Sequence, residues 1–149
     1  MGPPLRDALI AGDPVRGIVV GADLAEYKGE PAVFTRRPVP EDAEDPMIII
    51  NPPVGIGDFD ALNSDRPVWS GTVALYGRKG APGSSEDQTR LVDALGYRIR
   101  ELFHRQRFSV RPDGFSVIDV VASGPIAGPV DDDKTVARIV GLRIRLRRE

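Results

Sequence analysis

The last fifteen residues, "TVARIVGLRIRLRRE" (Thr135–Glu149), decide how the chain folds, because apolar and polar side chains alternate through them. Successive side chains of a β-strand point to opposite faces, so a period of two predicts a strand. One face carries Val136, Arg138, Val140, Leu142, Ile144 and Leu146. The other face carries Ala137, Ile139, Gly141, Arg143, Arg145 and Arg147. The pattern therefore predicts a closing strand with a buried aliphatic face and an arginine face.

Further strands are predicted upstream of this one. "FSVIDVVAS" (Phe115–Ser123) precedes it across the connection "GPIAGPVDDD" (124–133), so the two strands can form an antiparallel hairpin. "PVWSGTVALYGR" (67–78) alternates in the same way. "MIIIN" (Met47–Asn51) is a continuous apolar run next to proline, which is typical of a short buried strand. A shorter strand is suggested at "AVFTR" (32–36).

The strongest helical pattern runs roughly from Glu86 to Arg105. Ser85 as N-cap and Gln88 three positions later match a capping box. Apolar residues recur at helical spacing along one face. They are Leu91, Val92, Leu95, Ile99, Leu102 and Phe103. This spacing predicts an amphipathic helix that packs on the sheet.

A short helix is also predicted near the N-terminus, over "LRDALIAGD" (Leu5–Asp13), stopped by Gly12 and Pro14. With the strands above, it predicts an α+β fold: a small mixed or antiparallel sheet with the long amphipathic helix and the short N-terminal helix packed on one side. We expect a single domain over residues 1–149. The stretch "PPVGIGDFDALNSDRP" (52–67) is long for a loop and suggests a projecting or partner-binding element.

Composition excludes several classes of protein. The chain lacks cysteine, which excludes disulfides, thiolate metal sites and a cysteine nucleophile. The N-terminal sequence predicts neither a signal peptide nor a membrane anchor, so we expect a soluble protein made inside the cell.

The net charge of the chain is −2, but its charged residues are unevenly distributed between the two halves. Residues 1–66 hold 6 Lys/Arg against 12 Asp/Glu, and residues 67–149 hold 14 against 10. Such a chain suits association with copies of itself better than dedicated DNA binding.

Two motifs resemble enzyme or cofactor sites. "GRKGAPGSS" (77–85) follows a strand and opens a helix, as a phosphate-binding loop does. Lys79, however, precedes Gly80 and Gly83, so it would point away from a phosphate cradled at the helix N-terminus. His104 is the only histidine, and no spacing pairs it with a nucleophile or carboxylate. We interpret the first as a turn and the second as a capping or surface residue, and we expect no catalytic residue or cofactor.

Asp131, Asp132 and Asp133 invite a metal-site interpretation. Calcium loops space their ligands at alternate positions, whereas consecutive side chains diverge. A solvated loop before the last strand is the preferred interpretation, and no metal is expected.

The arginine face has three interpretations. Arg143, Arg145 and Arg147 could be a solvent-facing side whose charges deter edge-to-edge aggregation. They could instead contact the acidic half of a neighbouring subunit, or line a surface past which DNA phosphates travel. Aromatic residues are not interleaved, so base stacking is not supported. We predict these three arginines to face a subunit interface first and a DNA channel second.

The order of elements is similar to that of the tail terminator (tail completion) proteins of long-tailed phages and of gene transfer agents. The likeness spans nearly the whole chain and rests on pattern. It is carried by "LRDALIAGDPVRGIVVG", "DPMIIINPP", "VWSGTVALYGRKG", "LVDALGYRIRELF" and the closing strand after "GPIAGPVDDD".

The resemblance implies a virion structural protein of small α+β fold, without enzyme activity or cofactor. Copies of such a protein form a homohexameric ring at the neck, on top of the tail. The ring ends polymerisation of the tail tube and joins the tail to the head. The implied partners are other copies, the tail tube protein and the head–tail connector or stopper protein, with DNA passing through the lumen unread. Assembly would take place in the host cytoplasm.

Other functions are compatible with the same residues. Another neck component, such as a head-completion or connector protein, is the nearest alternative. A tail-tube subunit would carry more strand and less helix. A small nucleotide- or metal-dependent enzyme would use the 77–85 turn or the aspartates, and a generic bacterial binding module is a further alternative.

Overall fold

The closing strand forms as its alternation predicts, and it lies inside a five-stranded sheet. The computed structural model describes residues 1–35, 38–51, 67–81, 83–130 and 132–149. Within these ranges the helices are α1 (Gly2–Ala11) and α2 (Thr89–Phe103), with a 3₁₀ turn at Gly21–Asp23. The strands are β1 (Glu26–Tyr27), β2 (Glu30–Pro31), β3 (Val33–Phe34), β4 (Met47–Asn51), β5 (Val68–Arg78), β6 (Phe115–Ala127) and β7 (Thr135–Arg148). The predicted α+β fold is confirmed.

The main sheet has the order β3-β4-β5-β7-β6. β7 pairs antiparallel with the whole length of β5, from Val68 opposite Arg145 to Arg78 opposite Thr135. On its other side β7 pairs antiparallel with β6, which forms the predicted hairpin. β4 is antiparallel to β5, and β3 is parallel to β4, so the sheet is mixed. A separate hairpin of β1 and β2, which the sequence did not indicate, precedes β3.

Both helices pack on one face of this sheet. The aliphatic side chains of β7 are buried there, and Ile144 and Val140 are fully inaccessible to solvent. They join one core with the buried stripe of α2 and with Leu5 and Leu9 of α1. Arg138 lies on this aliphatic face because Asp93 of α2 pairs with it, with its Nε 2.6 Å from the Asp93 Oδ1.

Helix α2 approaches the sheet closely at a glycine. A Cβ atom on Gly96 would lie 2.8 Å from the Cβ of Pro125 in β6. That separation is too short for two carbon atoms, so the absence of a side chain sets the distance between helix and strand.

The predicted start of the long helix is wrong. α2 begins at Thr89, its N-cap is Gln88, and Ser85 does not cap it. The Gln88 Oε1 accepts a hydrogen bond from the backbone N–H of Arg78 at 2.8 Å. The Asp87 Oδ1 accepts one from the Thr89 N–H at 3.1 Å. Gln88 thus fastens the turn to β5 and Asp87 bonds the first residue of the helix, so the helix starts only after them.

β6 also extends beyond its predicted end, through Ala127. The "GPIA" portion of the predicted connection is therefore strand. Gly124 has φ of 101°, which favours glycine, and the pairing with β7 shifts register between Ser123 and Ile126. A bulge absorbs the glycine and the proline, and pairing then resumes opposite Ile139.

Side chains and one backbone N–H cover backbone groups at both outer strands of the sheet. At β3, Arg6 Nε donates to the Val33 carbonyl at 3.3 Å. At β6, Arg100 Nη1 donates to the Gly124 carbonyl at 3.3 Å, and the Arg105 backbone N–H donates to the Val120 carbonyl at 2.8 Å. These bonds occupy groups that an added strand would need.

In the ranges described here, neither helix combines the length and apolarity needed to cross a membrane. The predicted loop at 52–67 lies outside the described residues, apart from Pro67.

Candidate interaction surface

The face of the sheet opposite the helices is the candidate site. Neither described helix packs on this face. Near the start of β7, residues 38–39 and 129–130 border a groove of about 840 Å³ over Ile49 and Tyr76. Near the end of β7, the face carries the exposed side chains of Arg143, Arg145 and Arg147, which we call the arginine row.

The sheet register fixes the neighbours of the arginine row. Arg143 lies between Ser70 and Val121, and Arg145 lies between Val68 and Asp119. Alternate residues of a strand are about 7 Å apart, so the Cα atoms of Arg143 and Arg147 are separated by about 13 Å, with Arg145 between them. None of the three has an ion pair within the described part of the chain.

Asp119 is the acidic residue nearest to this row in the register, but another arginine engages it. The Asp119 Oδ2 lies 2.6 Å from Nη1 of Arg105, which follows α2. A second carboxylate lies at the end of the row, because Ser116, opposite Arg147, donates from its Oγ to Glu149 Oε1 at 3.0 Å. Sequence reasoning missed Asp119 and Arg105, because the register shift just before Asp119 decides which β6 side chains face the arginines.

The row does not lie at an edge of the sheet. β7 is flanked by β5 and β6, and β6 is the outer strand. Arg143 and Arg145 have neighbours in both β5 and β6, whereas Arg147 pairs only with Ser116 of β6 among the described residues. The interpretation that these solvent-facing charges deter edge-to-edge aggregation stays a prediction. The predictions of a subunit interface and of a DNA channel stay predictions.

A second charged feature lies near the opposite corner of the sheet. Glu41, Asp42, Glu44 and Asp45, which we call the acidic turn, directly precede β4. The Ala43 N–H donates to the Pro40 carbonyl at 3.1 Å, and Tyr27 Oη donates to Asp42 Oδ1 at 3.1 Å. The side chains of Glu41 and Glu44 are exposed. The basic arginine row and the acidic turn therefore lie at separate places on the sheet.

Asp45 is the half-buried member of the acidic turn. Burial raises the pKa of its carboxyl; the Arg78 guanidinium lowers this pKa and the nearby Asp132 raises it further. A carboxyl whose pKa is raised by folding destabilises the folded state once it ionises. The stability of the protein should therefore fall as pH rises from the usual aspartate range through the raised pKa of Asp45.

We expect Asp45→Asn to raise the free energy of unfolding near pH 7 by roughly 0.5 kcal/mol, since an amide carries no charge to bury. The gain should shrink as pH falls through the usual aspartate range and vanish below about pH 3, where the parent carboxyl is protonated in both the folded and the unfolded state. Urea denaturation across this pH range checks the result. Asp133→Asn, at an exposed position, is the matched control. A gain that is equal at every pH would contradict the role of ionisation.

The 77–85 turn is tied by a backbone hydrogen bond to the residue that precedes β7. The Lys79 N–H donates to the Lys134 carbonyl at 2.8 Å, and α2 begins four residues after Ser85. The Asp87 carboxylate occupies the helix N-terminus, and hydrogen bonds from Thr89 lower its pKa. An incoming phosphate would therefore meet a negative charge there.

His104 and Asp132 have local hydrogen-bond partners. The backbone N–H of Ala122 donates to His104 Nδ1 at 3.1 Å, so this histidine at the C-cap of α2 ties the helix to β6. Asp132 Oδ1 accepts a bond from the Lys134 N–H at 2.8 Å, while Asp131 lies outside the described residues. In the described ranges, no three His, Asp or Glu side chains are grouped to hold a metal ion.

No protein-family model matches this sequence, and no curated protein matches it either.

Proposed function

We propose that this chain is a virion structural protein of the tail terminator class, which forms a ring on the end of a tail tube. The main support is the resemblance in the order of elements. The observation that carries the proposal physically is the arginine row on the sheet face that neither described helix covers, set away from the acidic turn near the opposite corner of the sheet. A subunit with two different charged surfaces is suited to contacts between unlike patches.

Such contacts are what a ring needs. Subunits related by rotation meet through two different patches, and the contacts close into a ring when the rotation completes a circle. In this proposal the ring is a homohexamer at the neck. It ends tube polymerisation, contacts the tube protein on one side and the head–tail connector on the other, and lets DNA pass through its lumen. Recognition by shape and charge performs this work, without catalysis or a cofactor.

Electron microscopy of the purified protein, alone and with assembled tail tubes, tests the proposal. We expect rings of six copies, and tubes capped at one end that no longer elongate when fresh tube protein is added. Tubes incubated without the chain should continue to elongate. A protein that stays monomeric at high concentration and leaves tube ends bare would refute the terminator role. Rings that bind only the head-side connector would identify a different neck component.

A further inference from the structure

We infer that the arginine row of one copy binds the acidic turn of the next copy. This contact would join subunits within the proposed ring, so the inference rests on that proposal. One surface is Arg143, Arg145 and Arg147 on the face of β7 opposite the helices, and the other is Glu41, Asp42, Glu44 and Asp45 before β4.

The two surfaces cannot meet within one copy. Met47, just after the acidic turn, pairs with Tyr76, and Tyr76 pairs with Ala137. Arg143 is six residues further along β7, which corresponds to about 20 Å along the strand. The turn is also displaced by two strand spacings, or about 10 Å across the sheet. Asp45 is level with the start of β7, where Arg78 and Asp132 influence its pKa. The acidic turn is therefore available to another copy.

The surfaces are complementary in charge. The row presents three positive charges along about 13 Å, and the acidic turn presents carboxylates at four of its five positions. Glu41 and Glu44 are exposed and have no ion pair within the described residues. Opposite charges arranged in this way fix the register of an association and raise its rate.

Nucleic acid fits the row less well than a second copy does. Asp119 sits beside Arg145 in the sheet, and Val68 and Val121 border the row. A carboxylate and two valines favour a protein surface of mixed character over a run of phosphates. The chain as a whole carries a net charge of −2, which also opposes binding to a polyanion.

Side chains make the contact, and the two copies contribute different surfaces to it. Because arginine groups and the His104–Arg105 segment already engage the outer strands, copies would not join by extending the sheet. The row of each copy binds the turn of the next, so the association runs head to tail and can close into a ring.

Charge exchange between copies tests this contact. Arg143→Glu with Arg145→Glu makes the row acidic, and Glu41→Lys with Glu44→Lys places two lysines at exposed positions of the turn and removes its net negative charge. Alone, each variant places like charges together, and we expect its apparent association constant to fall at least about tenfold. Mixed in equal amounts, the two variants should recover assembly, because each acidic row then meets the lysines of a changed turn and each native row a native turn. A ring with an even number of copies permits this alternation.

Mass photometry measures the assembly, and circular dichroism checks that each variant is folded. Arg90→Glu with Arg107→Glu changes the same number of exposed charges elsewhere and should assemble like the parent. Assembly of the parent should weaken as salt rises. A monomeric parent, row or turn variants that assemble normally, or a mixture that stays dissociated would each overturn the inference. So would a row variant that assembles normally but loses affinity for a short DNA duplex.

The outcomes also separate this contact from the proposed function. Rings that depend on these four charges but ignore tail tubes would keep the contact and refute the terminator role. Rings that cap tubes and tolerate every charge reversal would refute the contact and keep the role.

Discussion

Replacing Ile144 by aspartate is expected to unfold the protein. Ile144 is fully buried in the core between the sheet and α2. An unpaired carboxylate at this position loses its hydration without a compensating partner, which costs several kcal/mol. That cost is comparable to the whole stability of a typical domain, about 5–15 kcal/mol. Far-ultraviolet circular dichroism and a thermal melt of Ile144→Asp should show loss of cooperative unfolding at 25 °C.

Arg145→Asp is the matched control, because the adjacent residue of the same strand faces solvent. It introduces the same side chain one position away, and we expect a folded protein whose stability changes by less than about 1 kcal/mol. Equal damage at both positions would show that the two faces of β7 do not differ as described. A cooperative melt of Ile144→Asp near the parent temperature would contradict the burial of this side chain.

Phe103→Ala is expected to lower the free energy of unfolding by about 3–5 kcal/mol. Phe103 ends α2, is inaccessible to solvent, and is the largest fully buried side chain in the described residues. Its removal leaves a cavity where the helix meets the sheet, and the rigid core closes only part of it. Urea denaturation, followed by tryptophan fluorescence from Trp69, measures the change.

Phe108→Ala is the control for the chemistry of the substitution. Phe108 is 73% exposed, with the Arg107 guanidinium near its ring. Its truncation should change the free energy of unfolding by less than about 0.5 kcal/mol. A similar fall in the free energy of unfolding for both variants would mean that burial does not determine the effect of removing a phenylalanine ring.

The strands were predictable where side-chain alternation or a continuous apolar run was strong. The bounds of β4 match the prediction, and those of β5 differ from it only by Pro67, because flanking prolines and turn residues limit both segments. The apolar stripe of α2 was predictable for the same reason, since burial against a sheet imposes its spacing.

The termini of α2 and β6 depend on contacts that sequence spacing does not encode. Ser85 and Gln88 match the sequence pattern of a capping box, yet Gln88 instead accepts a hydrogen bond from the backbone N–H of Arg78 in β5. Likewise, Gly124 and Pro125 normally end a strand, but pairing with β7 resumes beyond them through a bulge. In both cases a tertiary partner overrides the local preference.

The candidate site was predictable in part. The arginine row follows from alternation alone, and the excess of acid in the first half was visible in the composition. The interior place of β7 and the position of the acidic turn at the far corner depend on the strand order. Hairpin reasoning places β6 beside β7, but it does not indicate that β5 flanks the other side.

The hydrogen bonds at the outer strands bear on whether unassembled copies aggregate through their sheet edges. Exposed strand edges recruit other chains, and a protein held at high concentration in a crowded cell would then seed fibrous deposits. Here Arg6 occupies a carbonyl of β3, and Arg100, His104 and the Arg105 amide occupy the edge of β6. An added strand would have to displace these bonds, which lowers the tendency of dispersed copies to associate strand to strand.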